Sequence, residues 1–314
     1  MIAVAAQQPV HSPVLVTQVI AATERVLGSR PQGWFADATV GAGGHLSAVL
    51  DHFGGLSGVG FDWDPDSLTE ARENLARFGD RVRLERSAFA DLEAGLTAAG
   101  VEQPTVVLAD LGVCSLHFDR PERGFSALKD GPLDMRMSPD TELTAAEIVN
   151  TWSEERLADA FFHEGGERRS RRAAAAVVEA RRRVPFQRTM ALAETIERAL
   201  GPGGKIHAAT RVFQALRRIV NDEGGQLERG LAAAERALAP GGLLAIISFH
   251  SGEDGVVKRF FASAAKAGRF ELDSTKPLGP ERSEALANPR SRSARLRTGR
   301  RTDAPAPPAT EDPS

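Results

Sequence analysis

The 314-residue sequence predicts an α/β fold, a parallel sheet interrupted by an inserted all-helical domain. Three observations predict it. Short apolar runs alternate with helical patterns over the first third of the chain, the alternation stops after Asp110, and a strong strand signal returns only at Leu243. Alternating strand and helix signals mark a parallel sheet flanked by helices, and a long helical interval within such a pattern marks an insertion.

Trp34 to Asp37 reads as the first strand, Leu56 to Asp62 (LSGVGFD) as the second, Val82 to Leu84 as the third and Thr105 to Asp110 (TVVLAD) as the fourth. Between the second and third, Pro65 to Phe78 reads as a helix. Pro65 suits its first position, and the carboxylate of Asp64 can accept from unpaired first-turn amides. The interval that follows contains helical periods at Ala145 to Phe162, Arg171 to Arg182 and Met190 to Leu200, punctuated by Pro185 and by GPGG at 201 to 204. A helix from Gly225 to Leu238, stopped by APGG, leads to a fifth strand at Leu243 to Phe249. A further helix near Gly255 to Ala267 and short strands at Phe270 to Leu272 and Ala294 to Arg297 complete the order. Residues 302–314, TDAPAPPATEDPS, are Pro-rich and apolar-poor and predict a disordered tail.

A hydrophobic content of 42% with 26% charged residues is ordinary globular composition. No apolar stretch approaches the roughly 20 residues of a membrane-spanning helix, and the N-terminal segment lacks the basic lead of a signal peptide, so a cytoplasmic protein is expected. A single cysteine, Cys114, excludes an intrachain disulfide or a thiolate metal cluster, and the seven histidines show no metal-ligand spacing. No metal is expected. The net charge of −3 argues against a uniformly basic coat, yet Arg168 to Arg188 and Asn288 to Arg301 are locally basic. Each reads either as phosphate contacts or, respectively, as a solvated helix face and a disordered tail.

The segment DATVGAGGH (37 to 45) follows the first strand and opens a helix. Glycines at 41, 43 and 44 permit positive φ and close backbone approach, which suits either a tight turn or a cofactor at the helix N-terminus. The dinucleotide pattern GxGxxG needs glycine at 46, where this chain has Leu46, so a nicotinamide cofactor is disfavoured. Asp62 ends the second strand nineteen residues after Gly43, where a carboxylate accepts from the ribose hydroxyls of an adenosine-type cofactor. Asp110 ends the fourth strand and borders the same crevice; it suits a cofactor amine, a target nucleotide or an N-cap. Phe89 follows the third strand, beside an adenine ring or within the core. His250, in ISFHSGED, ends the fifth strand and is either site-adjacent or a helix cap. Neither a GxSxG elbow nor a phosphate-binding Walker loop is present.

Taken together, HSPVL (11 to 15), DATVGAGGH, DLGVCS (110 to 115), ERGFS (122 to 126), DGPLDMRM (130 to 137), ATRVFQALR (209 to 217), VNDE (220 to 223), LAPGG (238 to 242), ISFHSGED (247 to 254), VKRFF (257 to 261) and NPRSRSARLR (288 to 297) resemble the bacterial small-subunit rRNA cytosine-N4 methyltransferase family, RsmH/MraW. The resemblance spans nearly the whole chain. It implies a class I (Rossmann-like) methyltransferase sheet at 1–114 and 215–301, with an inserted helical substrate-recognition domain at 115–214. It also implies methyl transfer from S-adenosylmethionine to N4 of a decoding-centre (P-site) cytosine of 16S rRNA, in the small subunit or a late assembly intermediate. By motif position, Gly43, Gly44 and His45 would contact the cofactor, Asp62 its ribose, Phe89 its adenine region and Asp110 its methionine side. The next family contact, usually glutamine, falls on His117. Other departures are Cys114 for serine, Gly252 and Gly255 within the usual HSLEDRIVK, and Ala208 for the proline of HPATR.

In-line displacement at a sulfonium asks the protein for alignment rather than covalent help, and an acceptor near the cytosine amine favours the transition state. Asp110, or backbone carbonyls beside it, is the expected acceptor. Two alternatives remain open. C5 methylation would use Cys114 as a nucleophile, and a non-catalytic assembly factor would keep S-adenosylmethionine as a structural ligand.

Overall fold

A computed structural model describes residues 13–112, 118–204 and 206–308, with the backbone alone at position 290. The chain divides into two compact units, Met1–Gly112 with Gly225–Ser314, and Val113–Gly224.

The first unit is a sheet covered on both faces. Its strands are β1 (Gly33–Asp37), β2 (Leu56–Asp62), β3 (Val82–Arg86), β4 (Val106–Asp110), β5 (Leu243–Ser248), β6 (Phe270–Glu271) and β7 (Arg295–Arg301), in the order β3-β2-β1-β4-β5-β7-β6. Strands β1 to β5 run parallel, and β7 is antiparallel to both β5 and β6. The apolar runs of β4 and β5 follow from burial on two sides. Val106, Leu108, Leu243, Ala245 and Ile247 pack with α1 (Val16–Leu27), α2 (Gly44–His52) and α3 (Pro65–Leu75), while Val107, Ala109, Leu244 and Ile246 face α4 (Leu92–Ala98) and residues of two later helices, among them Leu231 and Phe261. At α3 the Asp64 carboxylate accepts from the Asp66 amide at 3.0 Å, with Pro65 in the first turn.

The basic C-terminal stretch is built into the sheet and is not a disordered tail. Arg295–Arg301 is an internal strand, extending four residues beyond the Arg297 limit expected from sequence. Its arginines serve the fold: Arg297 and Arg295 donate to Asp254 at 2.7 and 3.0 Å and hold that carboxyl below the usual carboxylate range, and Arg301 donates to the Leu238 carbonyl. At the expected disordered tail, Thr302 is tied to the Arg269 carbonyl, whereas residues from 309 onward lie outside those described.

The second unit contains α5 (Ala145–Thr151), α6 (Glu154–His163), α7 (Ser170–Arg181), α8 (Thr189–Leu200) and α9 (Thr210–Val220). A single helix expected over Ala145 to Phe162 is two. Trp152 is extended, and the Ser153 hydroxyl accepts from the Arg156 amide, so a serine cap restarts the helix. Helix α9, which the sequence reading divided at 214/215, lies wholly in this unit, with Arg218 donating to the Glu164 carbonyl. The sheet unit resumes with α10 (Glu223–Ala237) and α11 (Ser251–Lys266), both beginning before the expected Gly225 and Gly255, and includes α12 (Arg282–Ala287).

The segments ERGFS, DGPLDMRM and VNDE meet in one network of this unit. Buried Asn221 accepts from the Met137 amide and donates to the Met135 and Arg217 carbonyls, each at 2.8 Å. Arg123 donates to the Arg136 and Met137 carbonyls, and Arg136 grips Asp134 with two nitrogens at 2.9 Å. A Cβ at Gly131 would sit 1.8 Å from the Pro121 carbonyl oxygen, so only glycine fits there. Asn221→Ala strands a buried amide and carbonyl, at about 3 kcal/mol. A lowered urea midpoint for the helical unit is the expected result; an unchanged midpoint would contradict the network's role.

Candidate active site

In the sheet unit, the strand order reverses between β1 and β4, and in open α/β sheets ligands bind beyond the carboxyl ends of the strands at such a point. Three aspartates end neighbouring strands there: Asp37 on β1, Asp62 on β2 and Asp110 on β4. The loop after β1 is stitched to both neighbours. Thr39 Oγ1 accepts from the Asp110 amide at 2.7 Å, the Val40 amide donates to the Phe61 carbonyl at 2.7 Å, and the Gly41 amide donates to Asp62 Oδ2 at 3.0 Å. Gly43 then takes φ 85° as the N-cap of α2, where a Cβ would lie 2.9 Å from Leu75. With no side-chain cap on α2, its first-turn amides and dipole are offered to a ligand.

The carboxylates differ in their partners. Asp62 is held by backbone donors on both oxygens, from Gly41 and, at 2.9 Å, from Asp64. Asp37 is buried, with Oδ1 accepting from the Thr39 amide at 3.2 Å and Oδ2 without a partner among the described residues. Burial pushes its pKa up to about 7, and the nearby Asp62 charge adds to the rise. Asp110 has a 24% exposed side chain; its Oδ1 has no partner, and its Oδ2 lies 3.7 Å from His45 Nδ1. Desolvation, then the charges of Asp37 and Glu253, raise its pKa well above the carboxylate range.

The arrangement brings Gly43, Gly44, His45, Asp62 and Asp110 to one end of the sheet. Phe89 is buried in the core, its ring against Gly230. His250 caps α11, its Nδ1 accepting from the Glu253 amide at 3.3 Å, while Nε2 lies 2.9 Å from Glu253 Oε1. Cys114 and His117 lie outside the described residues. Sequence reasoning assigned no role to Asp37 or Glu253; for Asp37 the available signal was its place at a strand end, shared with Asp62 and Asp110. Among the described residues no group of three or more His, Cys, Asp or Glu could hold a metal ion.

A sequence profile of the MraW methylase family matches residues 8–302. The chain belongs to that family. It is therefore a methyltransferase, and its sheet is the class I methyltransferase sheet. Two relatives, each named ribosomal RNA small subunit methyltransferase H, are 47% identical: that of Methylobacterium sp. (strain 4-46), covering 95% of this chain and 92% of its own, and that of Cereibacter sphaeroides (strain KD131), covering 94% and 91%. The crystal structure of an rRNA methylase from Streptococcus thermophilus aligns at a TM-score of 0.43 and 11% identity, over 95% of this chain and 99% of that one. Among the described residues no helix is long and apolar enough to cross a membrane.

The helical unit carries the first basic stretch. Several of its arginines have partners within the unit: Arg169 donates to the Leu200 carbonyl, Arg181 to the Val149 carbonyl and Arg188 to Asp130, and the exposed Arg182 and Arg183 pair with Glu179 of the helix they follow. Arg168, Arg171 and Arg172 are exposed and pair with no carboxylate among the described residues.

Proposed function

We propose that this chain transfers a methyl group from S-adenosylmethionine to the exocyclic N4 of a decoding-centre (P-site) cytosine of 16S rRNA, in the small subunit or a late assembly intermediate. The observation that carries the reading is Asp110, a strand-end carboxyl with an unpartnered oxygen at the sheet's switch point. The names of the relatives support small-subunit rRNA as substrate.

The residues present fit the cofactor. The uncapped start of α2 offers the amides of Gly44 and His45, while Gly43, whose own amide donates to the Val40 carbonyl, leaves a close, side-chain-free approach. Asp62, oriented by two backbone amides, stands where a carboxylate accepts from the ribose hydroxyls. The unpartnered oxygens of Asp37 and Asp110 are acceptors for its cationic and amine groups, and a buried acceptor without a donor calls for one.

When bound, S-adenosylmethionine supplies an electrophilic methyl on sulfur, open to in-line attack by nitrogen. The amine lone pair of cytosine is conjugated into the ring, so a group that takes the amine proton lowers the barrier. Asp110 does so as its carboxylate. Arg168, Arg171 and Arg172 hold rRNA phosphates. Changing all three to glutamine should weaken binding and reduce the slope of log affinity on log salt by about 2, at roughly 0.7 per neutralised contact on single strands. A parental slope would refute this assignment.

The direct test is transfer of labelled methyl to small subunits lacking the modification, followed by nuclease digestion and mass analysis. Label in N4-methylcytidine is expected. Label in C5-methylcytidine would move the chemistry to Cys114, and tight cofactor binding without transfer would favour an assembly factor.

A further inference from the structure

His45 is buried, and its two ring nitrogens face different partners. Nε2 lies 2.7 Å from the Val14 carbonyl oxygen. A carbonyl only accepts, so Nε2 carries the proton and Nδ1 presents a lone pair. Burial lowers the imidazole pKa to about 4, which keeps the ring neutral over the working range. The Nδ1 lone pair then faces Asp110 Oδ2 at 3.7 Å.

An imine nitrogen opposite an ionised carboxylate is a pair of acceptors with no donor between them. It becomes a hydrogen bond only when the carboxyl carries a proton. The other groups around Asp110 favour that form: Asp37 from β1 and Glu253 from α11 are acidic, and His250, at the cap of α11, is turned toward Glu253. From α2 the facing group is His45 itself.

We propose that Asp110, when protonated, donates through Oδ2 to Nδ1 of neutral His45, which makes His45 the positioning residue that holds the acid form of Asp110. This deepens the function proposed above, resting on it only for the source of the proton. During transfer the amine nitrogen's lone pair makes the N–CH3 bond while the S–CH3 bond of the sulfonium breaks and leaves its pair on sulfur; the N–H bond breaks, its pair stays on nitrogen, and the proton makes a new O–H bond on Asp110. That O–H faces an acceptor 3.7 Å away, which a shift of roughly 1 Å brings to hydrogen-bond distance. The imidazole gains no proton, and the proton passes from Asp110 to water after turnover.

The test uses the full chain without cofactor or RNA, so its outcome is independent of the methyl-transfer assay. In protein labelled with 15N-histidine and 13C-aspartate, the His45 resonances, identified by their loss in His45→Phe, should show the Nε2–H tautomer throughout neutral pH. The Asp110 carboxyl should titrate well above the usual carboxylate range. In His45→Phe, which removes the acceptor, its midpoint should fall by about one pH unit, a roughly tenfold loss of proton affinity. An Nδ1–H tautomer in the parent protein, or an Asp110 midpoint unmoved by the substitution, would overturn the proposal. The parental tautomer decides the matter even if His45→Phe folds poorly.

Discussion

Asp110→Asn should lower the rate of methyl transfer by about 10²- to 10³-fold, the scale of a lost proton acceptor. Asparagine matches aspartate in size and keeps the backbone bond to Thr39 Oγ1. What it cannot do is take a proton from an amine. The pH profile separates this from a mere loss of fit. The carboxylate is the active form, and burial together with the charges of Asp37 and Glu253 raises its pKa well above the ordinary value. The parental rate should therefore rise with pH through that displaced midpoint, and the rising limb should vanish in the variant. Single-turnover rates across the pH range, with cofactor affinity measured alongside, provide the check. A variant that keeps both the parental rate and the rising limb would remove Asp110 from the chemistry.

Asp37→Asn should stabilise the protein at alkaline pH while weakening cofactor binding. The Asp37 carboxyl titrates near 3.8 when exposed and near 7 in the fold. Between those values the folded state binds more protons than the unfolded state, so stability declines as pH rises. Below about pH 4 the group costs nothing, because both states are protonated; above about pH 7 the full cost is present. A gap of about three units corresponds to at most about 4 kcal/mol, of which asparagine removes the charge-dependent part. Denaturant unfolding of parent and variant at pH 4 and pH 8 should give curves that nearly coincide at the lower pH and separate at the higher. Equal stabilities at pH 8 would show that Asp37 pays no desolvation cost. Such a carboxylate, destabilising alone and useful beside a cationic ligand, is how a binding site trades stability for function.

Strands β1 to β5 were legible because each is a short apolar run closed by a turn, and the cap at Asp64 and Pro65 because its chemistry is local. Gly43, Asp62 and Asp110 were legible for a related reason: in a parallel sheet, place along a strand already specifies place in the crevice. Strand β7 was legible only at its start, as the short strand at Ala294 to Arg297; the basic run around it reads as phosphate contacts or a disordered tail, since the groups that neutralise it, Asp254, Glu271 and the Leu238 carbonyl, come from distant parts of the chain. The break at Trp152 and Ser153 was hidden because the apolar period continues across it while the backbone does not.

The sequence by itself determined the α/β class, the helical insertion, the family and the glycine and aspartate positions of the candidate site, all of which depend on residue type and spacing along the chain. Only the tertiary structure decided which arginines are spent on the fold and which stay exposed, that Phe89 packs as core, and that Asp37, Glu253 and His45 surround Asp110. Those outcomes depend on distance and desolvation between groups far apart in the chain. Charge interactions and proton affinities follow separation in space, which spacing in sequence leaves undetermined.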